Sequence, residues 1–300
     1  MRVETLVSCV DKEEKTLALA MGLEEDAVIV NQTNEAGEFC FFMQEGQIIN
    51  VDDAEKTSEM IFADDAAKTV EKTGRLRCVR MKERGVGLSR NTAMNCMDKA
   101  GRVCLFSDED IRYDKGYTEL IKAEYEAHPE ADMILFNMRV NSSRRTYWND
   151  AFKRIRFYNY GRYPAYSISA RKKALLDSGV KYSLLFGGGA RYSNGEDSLF
   201  LKDCLQAGLK IYASPVCLGE EEERPSTENA STWFTGYHEK FFHDRGVLYA
   251  FLYGPMKYVM SWVFLIRKRK IMCREVSVFQ AAKYMKEGIR EAKGLQEASD

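Results

Sequence analysis

Three short segments concentrate the residue types from which chemistry is built. Asp108-Glu109-Asp110 follows the apolar run Val103-Cys104-Leu105-Phe106, Gly85-Val86-Gly87-Leu88-Ser89-Arg90-Asn91 lies one helix upstream, and Gly195-Glu196-Asp197 lies far downstream. Two aspartates at i, i+2 on an extended segment point to one side. Hard carboxylate oxygens are the ligands that Mg²⁺ or Mn²⁺ takes when it bridges to phosphate. A strand that ends beside them brings them to the carboxyl edge of a parallel sheet, where such sheets bind ligands. Asp197, or secondarily Glu196, suits proton abstraction from an attacking hydroxyl, and Gly195 lets the chain turn just before it. Taken singly, Asp-x-Asp is also turn chemistry, and an acid entering Ser198-Leu199-Phe200-Leu201 is also a helix cap. The ordered trio is what points to a site.

The elements that must position these residues alternate. Glu4 to Val10 and Ala27-Val28-Ile29-Val30 are short, apolar and bounded by charge, as buried parallel strands are, and Lys15 to Leu23 between them has helical spacing. This opens a right-handed βαβ unit. Ile48 to Val51 and Arg77 to Arg80 are weaker strands, and Asp52 to Lys72 is ambiguous between helix and loop. Ser89 caps an expected helix running to Lys99, closed by Gly101; the strand Arg102 to Phe106, the helix Glu119 to Ala127 and the strand Met133 to Phe136 follow. The expected architecture is an α/β domain over residues 1–235, its mainly parallel central sheet flanked by helices, followed by a helical C-terminal extension over 236–300.

Composition narrows the class. The 44 basic and 45 acidic residues nearly cancel over 300 residues, so nothing points to nucleic acid, and the expected ligand is small. The opening MRVETLVSCVDKEEK places Asp11 to Lys15 where a secretory apolar region would continue, so a cytoplasmic protein is expected. Eight cysteines without a C-x-x-C pair read as reduced core thiols.

Read together, GVGLSRNTAM at 85–94, VCLFSDED at 103–110 and GEDSLFLKDCLQAGLKIYASP at 195–215 resemble the family 2 glycosyltransferases of bacterial surface-polysaccharide type, over roughly the first 235 residues. The resemblance implies a GT-A fold and a metal-dependent, inverting, hexosyltransferase-like enzyme. It would move a sugar from a UDP-sugar to a hydroxyl of a glycan or lipid-linked acceptor. It implies that Asp110 ligates Mn²⁺ or Mg²⁺, that Asp108 contacts the metal or ribose, and that Asp197, less so Glu196, is the base. Arg90 would neutralise the diphosphate and Asn91 would bond the base or the backbone. Glycines of Phe186 to Ala190, Gly188 and Gly189 among them, would let amides approach the acceptor, and Trp233 would stack on an acceptor sugar or be an ordinary buried tryptophan.

Two departures bear on the pocket. VSCVDK and VNQTNE stand where the family carries its base-binding segments, so Asn31 is the expected substitute for reading the base, with Ser8 lining the same pocket. LGEEEERPSTENAST holds no histidine where many relatives have a third metal ligand, and His238 or His243 come later; water would complete the shell. Residues 247–270 join an aromatic, apolar stretch broken at Gly254-Pro255 to Arg267-Lys268-Arg269-Lys270. They suit either a helix pair on the anionic inner face of a membrane or a flap packed on the catalytic domain. The competing functional reading is a degenerate, non-catalytic sugar-nucleotide-binding or scaffold protein of a glycan assembly complex.

Overall fold

The computed structural model describes residues 1–44, 47–50, 74–98, 102–142, 145–222 and 236–297. Strand β1 (Val3–Val10) leads into helix α1 (Glu14–Met21), which Glu13 caps by accepting from the amides of Lys15 and Thr16 and which Gly22 ends in a left-handed turn. There follow β2 (Asp26–Gln32), the antiparallel pair β3 (Gly37–Gln44) and β4 (Gln47–Asn50), and β5 (Gly74–Met81). Helix α2 (Val86–Cys96), β6 (Val103–Asp108), β7 (Ile111–Tyr113), α3 (Tyr117–Ala127), β8 (Met133–Arg139) and β9 (Lys153–Arg154) come next. The domain closes with β10 (Ile168–Arg171), α4 (Lys172–Ser178), α5 (Glu196–Gln206) and β11 (Ile211–Glu221).

The strands form one sheet in the order β4-β3-β5-β2-β1-β6-β10-β8-β11-β7, with β9 on β11. The centre β5-β2-β1-β6 is parallel, as is β8 with β11, whereas β10 runs antiparallel to both its neighbours. Alternation along each central strand divides the core. Leu6, Val28, Val30, Cys104 and Phe106 pack with Ala93 and Met94 of α2 and with Phe200 of α5. Val7, Ile29, Val103 and Leu105 pack with Leu17 and Met21 of α1 and with Tyr117 and Ile121 of α3. Both faces are covered, which is why β2 is buried at every residue.

The parallel core follows the expected strand and helix order, with three corrections. Helix α2 begins at Val86, so Ser89 lies inside it rather than capping it, and it ends at Cys96 instead of Lys99. Asp108 is the last residue of β6, not a residue beyond the strand. The segment Asp52 to Lys72 and the helix-closing Gly101 lie outside the described residues. All eight cysteines are free; burial pushes the thiols of Cys78 and Cys104 up to about 12, so they are inert core groups.

The C-terminal part is three helices: α6 (Glu239–Tyr253), a 3₁₀ turn at Gly254–Met256, α7 (Lys257–Met272) and α8 (Val278–Glu297). They share an apolar core with the sheet-bearing part of the chain, in which Phe242, Val247 and Leu248 meet Phe186, Tyr192 and Leu199. Among the described residues no helix is long and apolar enough to cross a membrane.

At the amino end of the strands a buried ion pair joins α4 to β1. Lys172 Nζ donates to Glu4 and to the Asp98 carbonyl at 3.0 Å, and Glu4 accepts the Asp98 amide at 3.1 Å. Burial raises the Glu4 pKa, with Lys172 opposing it. Lys172→Met would strand that carboxylate and is expected to cost about 3–5 kcal/mol, read by urea unfolding. A cost under about 1 kcal/mol would show the pair to be dispensable.

Candidate functional site

The carboxyl ends of β1, β2 and β6 meet the N-terminal turns of α2 and α5, and Asp108, Glu196 and Asp197 converge there on one cation. Helix α2 is buried on the side carrying Gly87, Arg90, Asn91 and Met94, which sends the Arg90 side chain inward until it is only 4% exposed. Its Nη1 donates to Asp197 Oδ1 at 2.7 Å and to Glu196 Oε1 at 3.3 Å, and its Nη2 donates to Asp108 Oδ1 at 2.9 Å. The guanidinium lies over the Tyr182 ring, 5.1 Å from its centroid, and that ring stacks on Phe200. Asp197 Oδ2 accepts the Ala165 amide at 3.1 Å. One guanidinium thus faces three carboxylates.

The electrostatics follow from that ratio. Burial works against the Arg90 charge, but Asp197, Asp108 and Glu196 outweigh it and hold its pKa well above the ordinary value. Asp197 moves the other way. Burial, then repulsion from Glu196 and Asp108, raises its pKa to about 7 against the opposing pull of Arg90 and the Ala165 amide. A carboxylate poised near neutrality is suited to accepting a proton.

Gly195 makes this turn possible. It sits at φ +110°, and a Cβ there would lie 2.4 Å from the Leu248 side chain, so α6 closes over the entry to α5 only because the side chain is absent. The loop with Gly188 and Gly189 is pinned to the start of α2: the Gly188 carbonyl accepts the Val86 amide at 2.9 Å, and Gly189 packs against Gly85. Gly188 borders open space, leaving its backbone accessible.

Several expected contacts are drawn elsewhere. Asn31, expected to read a base, donates to the Lys12 carbonyl (2.6 Å) and to Glu14 Oε1 (2.8 Å) and accepts from the Lys12 amide (3.3 Å). Its amide holds the β1–α1 turn and retains no free donor. Asn91 is likewise engaged by backbone, donating to the Tyr182 carbonyl at 2.9 Å and accepting its amide at 2.8 Å. That clamp places the Tyr182 ring beneath Arg90. Ser8 is buried on β1 beside Asp108 and accepts from Ser89 at 3.0 Å. Arg90 meets protein carboxylates where a diphosphate was expected. Glu109 accepts the Val10 amide at 2.8 Å, serving the local fold. Trp233 lies outside the described residues.

Two cations that sequence reasoning passed over stand at this edge. Arg84 bonds the Gln32 carbonyl (2.7 Å) and Asp11 (3.0 Å), and Lys12 lies 3.7 Å from Glu109; both are exposed. Their signal was position, one immediately after β1 and one immediately before α2.

Neither histidine approaches the aspartates. His238 caps α6, and His243 pairs with Glu291 at 3.0 Å. Among the described residues no group of three or more His, Cys, Asp or Glu side chains is arranged to hold a metal ion. The oxygen donors of Asp108 and half-buried Asp110 fit a Mg²⁺ or Mn²⁺ that keeps its waters and takes substrate phosphate oxygens. They do not fit a cation held by protein alone.

No protein-family model matches the chain, and no curated protein matches it. Solved structures do. The S. aureus TarS 1-349 crystal structure aligns over 92% of this chain and 74% of its own length, with 14% identity and a TM-score of 0.52. The longer S. aureus TarS structure aligns over 89% of this chain and 44% of its own, at the same identity and TM-score. A mannosyltransferase from Pyrobaculum calidifontis, solved with GDP-Man and Mn²⁺, has 16% identity and a TM-score of 0.45, too low to carry an argument. At these identities the likeness is one of fold. The chain has a GT-A architecture, a mostly parallel central sheet flanked by helices with a C-terminal helical part.

Proposed function

We propose that the protein is an inverting glycosyltransferase that moves a sugar from a UDP-sugar to a hydroxyl of a glycan or lipid-linked acceptor. One observation carries this: Asp108 and Asp197, one at the end of β6 and the other at the start of α5, share Arg90 at the ligand-binding edge of a GT-A sheet. The fold is shared with S. aureus TarS.

In this reading Asp110 and Asp108 would hold a Mg²⁺ or Mn²⁺, which would supply charge neutralisation for a diphosphate. Lys12 and Arg84 at the rim take part of the nucleotide's negative charge, a task that Arg90 is too enclosed to perform alone. The acceptor hydroxyl oxygen bonds to the anomeric carbon on the face opposite the diphosphate, the carbon–oxygen bond to phosphate breaks, and the hydroxyl proton passes to Asp197. Arg90 fixes the direction of the Asp197 carboxylate. Glu196, sharing the same Nη1, keeps the Asp197 proton affinity high.

The test is a donor screen. With Mn²⁺ and each common UDP-sugar in turn, slow UDP release is expected for one donor, and Asp110→Asn is expected to lower it by about 10²-fold or more. Release that ignores both donor identity and Asp110→Asn would refute the assignment. If Asp197→Asn keeps UDP-sugar binding yet loses transfer, a scaffold role is excluded.

A further inference from the structure

We propose that α7 and the start of α8 form a docking surface for an anionic lipid leaflet. The inference is independent of the transfer chemistry and rests on exposure and charge.

Helix α7 turns a large apolar face outward. Tyr258 (47% exposed), Trp262 (46%) and Ile266 (59%) recur at the i, i+4, i+8 spacing that shares one helix face, Val259 (55%) lies next to Tyr258, and Met256 just before them is 55% exposed. Across the turn Phe279 of α8 is 82% exposed. Between the two helices runs a groove of about 610 Å³, lined by Tyr258, Trp262, Leu265, Phe279 and Met285, with Lys283 and Lys286 on its walls. Single exposed apolar residues need no explanation, but a contiguous aromatic patch does.

Charge identifies the occupant. From Arg245 to Arg274 the sequence has seven basic residues and no acidic one, although acids slightly outnumber bases in the chain as a whole. Arg267, Lys268, Arg269 and Lys270 are consecutive and all exposed, directly after the aromatic stripe. Tryptophan and tyrosine suit the boundary between headgroups and acyl chains, and clustered cations suit anionic headgroups. A second copy of this chain would bring the same positive charge to the contact and be repelled. The fold adds a reason for the place. Helix α8 runs from this patch to Glu291, which bonds Arg191 and Tyr192 beside the Gly188–Gly189 loop. About 12 residues of helix, roughly 18 Å, therefore separate a lipid-facing surface from the proposed acceptor side.

Vesicle co-sedimentation tests this with the whole protein, using phosphatidylcholine vesicles with and without phosphatidylglycerol. Binding is expected only to the anionic vesicles and is expected to fall with salt. Changing Arg267 to Lys270 to glutamine, or Trp262→Ala with Phe279→Ala, is expected to weaken it at least about tenfold while the thermal midpoint stays unchanged. Three results would overturn the proposal: no binding to either vesicle, equal binding to both, or a concentration-dependent dimer lost in Trp262→Ala without vesicle binding. UDP release in the absence of vesicles is expected to be unaffected by these variants, so failure here is separable from failure of the transferase reading.

Discussion

Replacing Arg90 by methionine is expected to destabilise this protein strongly. The side chain is buried and touches Asp108, Glu196 and Asp197. Methionine fills a similar volume over Tyr182 but leaves three carboxylates facing one another without a counter-charge. Removing one partner from a buried ionic cluster costs about 3–5 kcal/mol because the remaining charges stay desolvated. The loss depends on pH with a definite sign. Without Arg90 the strongest opposition to the raised proton affinity of Asp197 is gone, so this carboxyl binds its proton more tightly in the folded state than in the unfolded chain and the variant recovers stability as pH falls. Urea unfolding at about pH 8 and about pH 5 should therefore show a larger deficit at the higher value. An equal deficit at both would mean that packing on Tyr182, not charge, is what Arg90 contributes. Arg90→Lys is expected to restore part of the stability but little transfer, because one ammonium cannot reach three carboxylates in the guanidinium's fork geometry.

The second large effect belongs to Asp197, where function and stability should separate. Asp197→Asn removes the proposed base and is expected to lower kcat by about 10²–10⁴-fold with the UDP-sugar still bound. If Asp197 is the base, the rate of the native protein should fall as pH drops below about 7, the value to which burial and the neighbouring acids raise this carboxyl. Linkage makes a further demand. A carboxyl whose folded pKa lies above its ordinary value stabilises the fold while protonated, and that stability is lost as pH rises through about 7. Asparagine cannot ionise. The variant is thus expected to be more stable than the native protein at about pH 8, on the order of 2 kcal/mol after allowance for solvent at the site, with the advantage fading at about pH 5. A thermal midpoint that falls at both pH values would instead give Asp197 a purely structural part. Such an exchange of stability for an unfavourable, reactive group is expected where a fold tolerates local strain for function.

Much of the architecture was legible before any coordinates. The apolar, β-branched runs at β1, β2 and β6 and the helical spacing of α1 and α3 announce a sheet covered on both faces, because each strand must find apolar partners on two sides. The direction of β10 and the hairpin β3–β4 was not legible. A short strand carries no local mark of whether its neighbour runs parallel or antiparallel, and pairing is settled between residues such as Ser169 and Leu105, far apart in sequence. The amides of Asn31 and Asn91 show the same limit. Their residue type suits a pyrimidine edge, yet backbone groups of Lys12 and Tyr182 reach them first.

By itself, then, the sequence determined which candidate residues ride on which elements: acids at the end of a strand, an arginine on the helix before that strand, and acids opening another helix. Only the tertiary structure decided that Arg90 stands between Asp108 and Asp197 rather than toward solvent. The physical reason is burial. Once α2 packs its Arg90 face against the sheet and Tyr182, an enclosed guanidinium must find carboxylates, and the nearest ones come from chain positions 18 and 107 residues away.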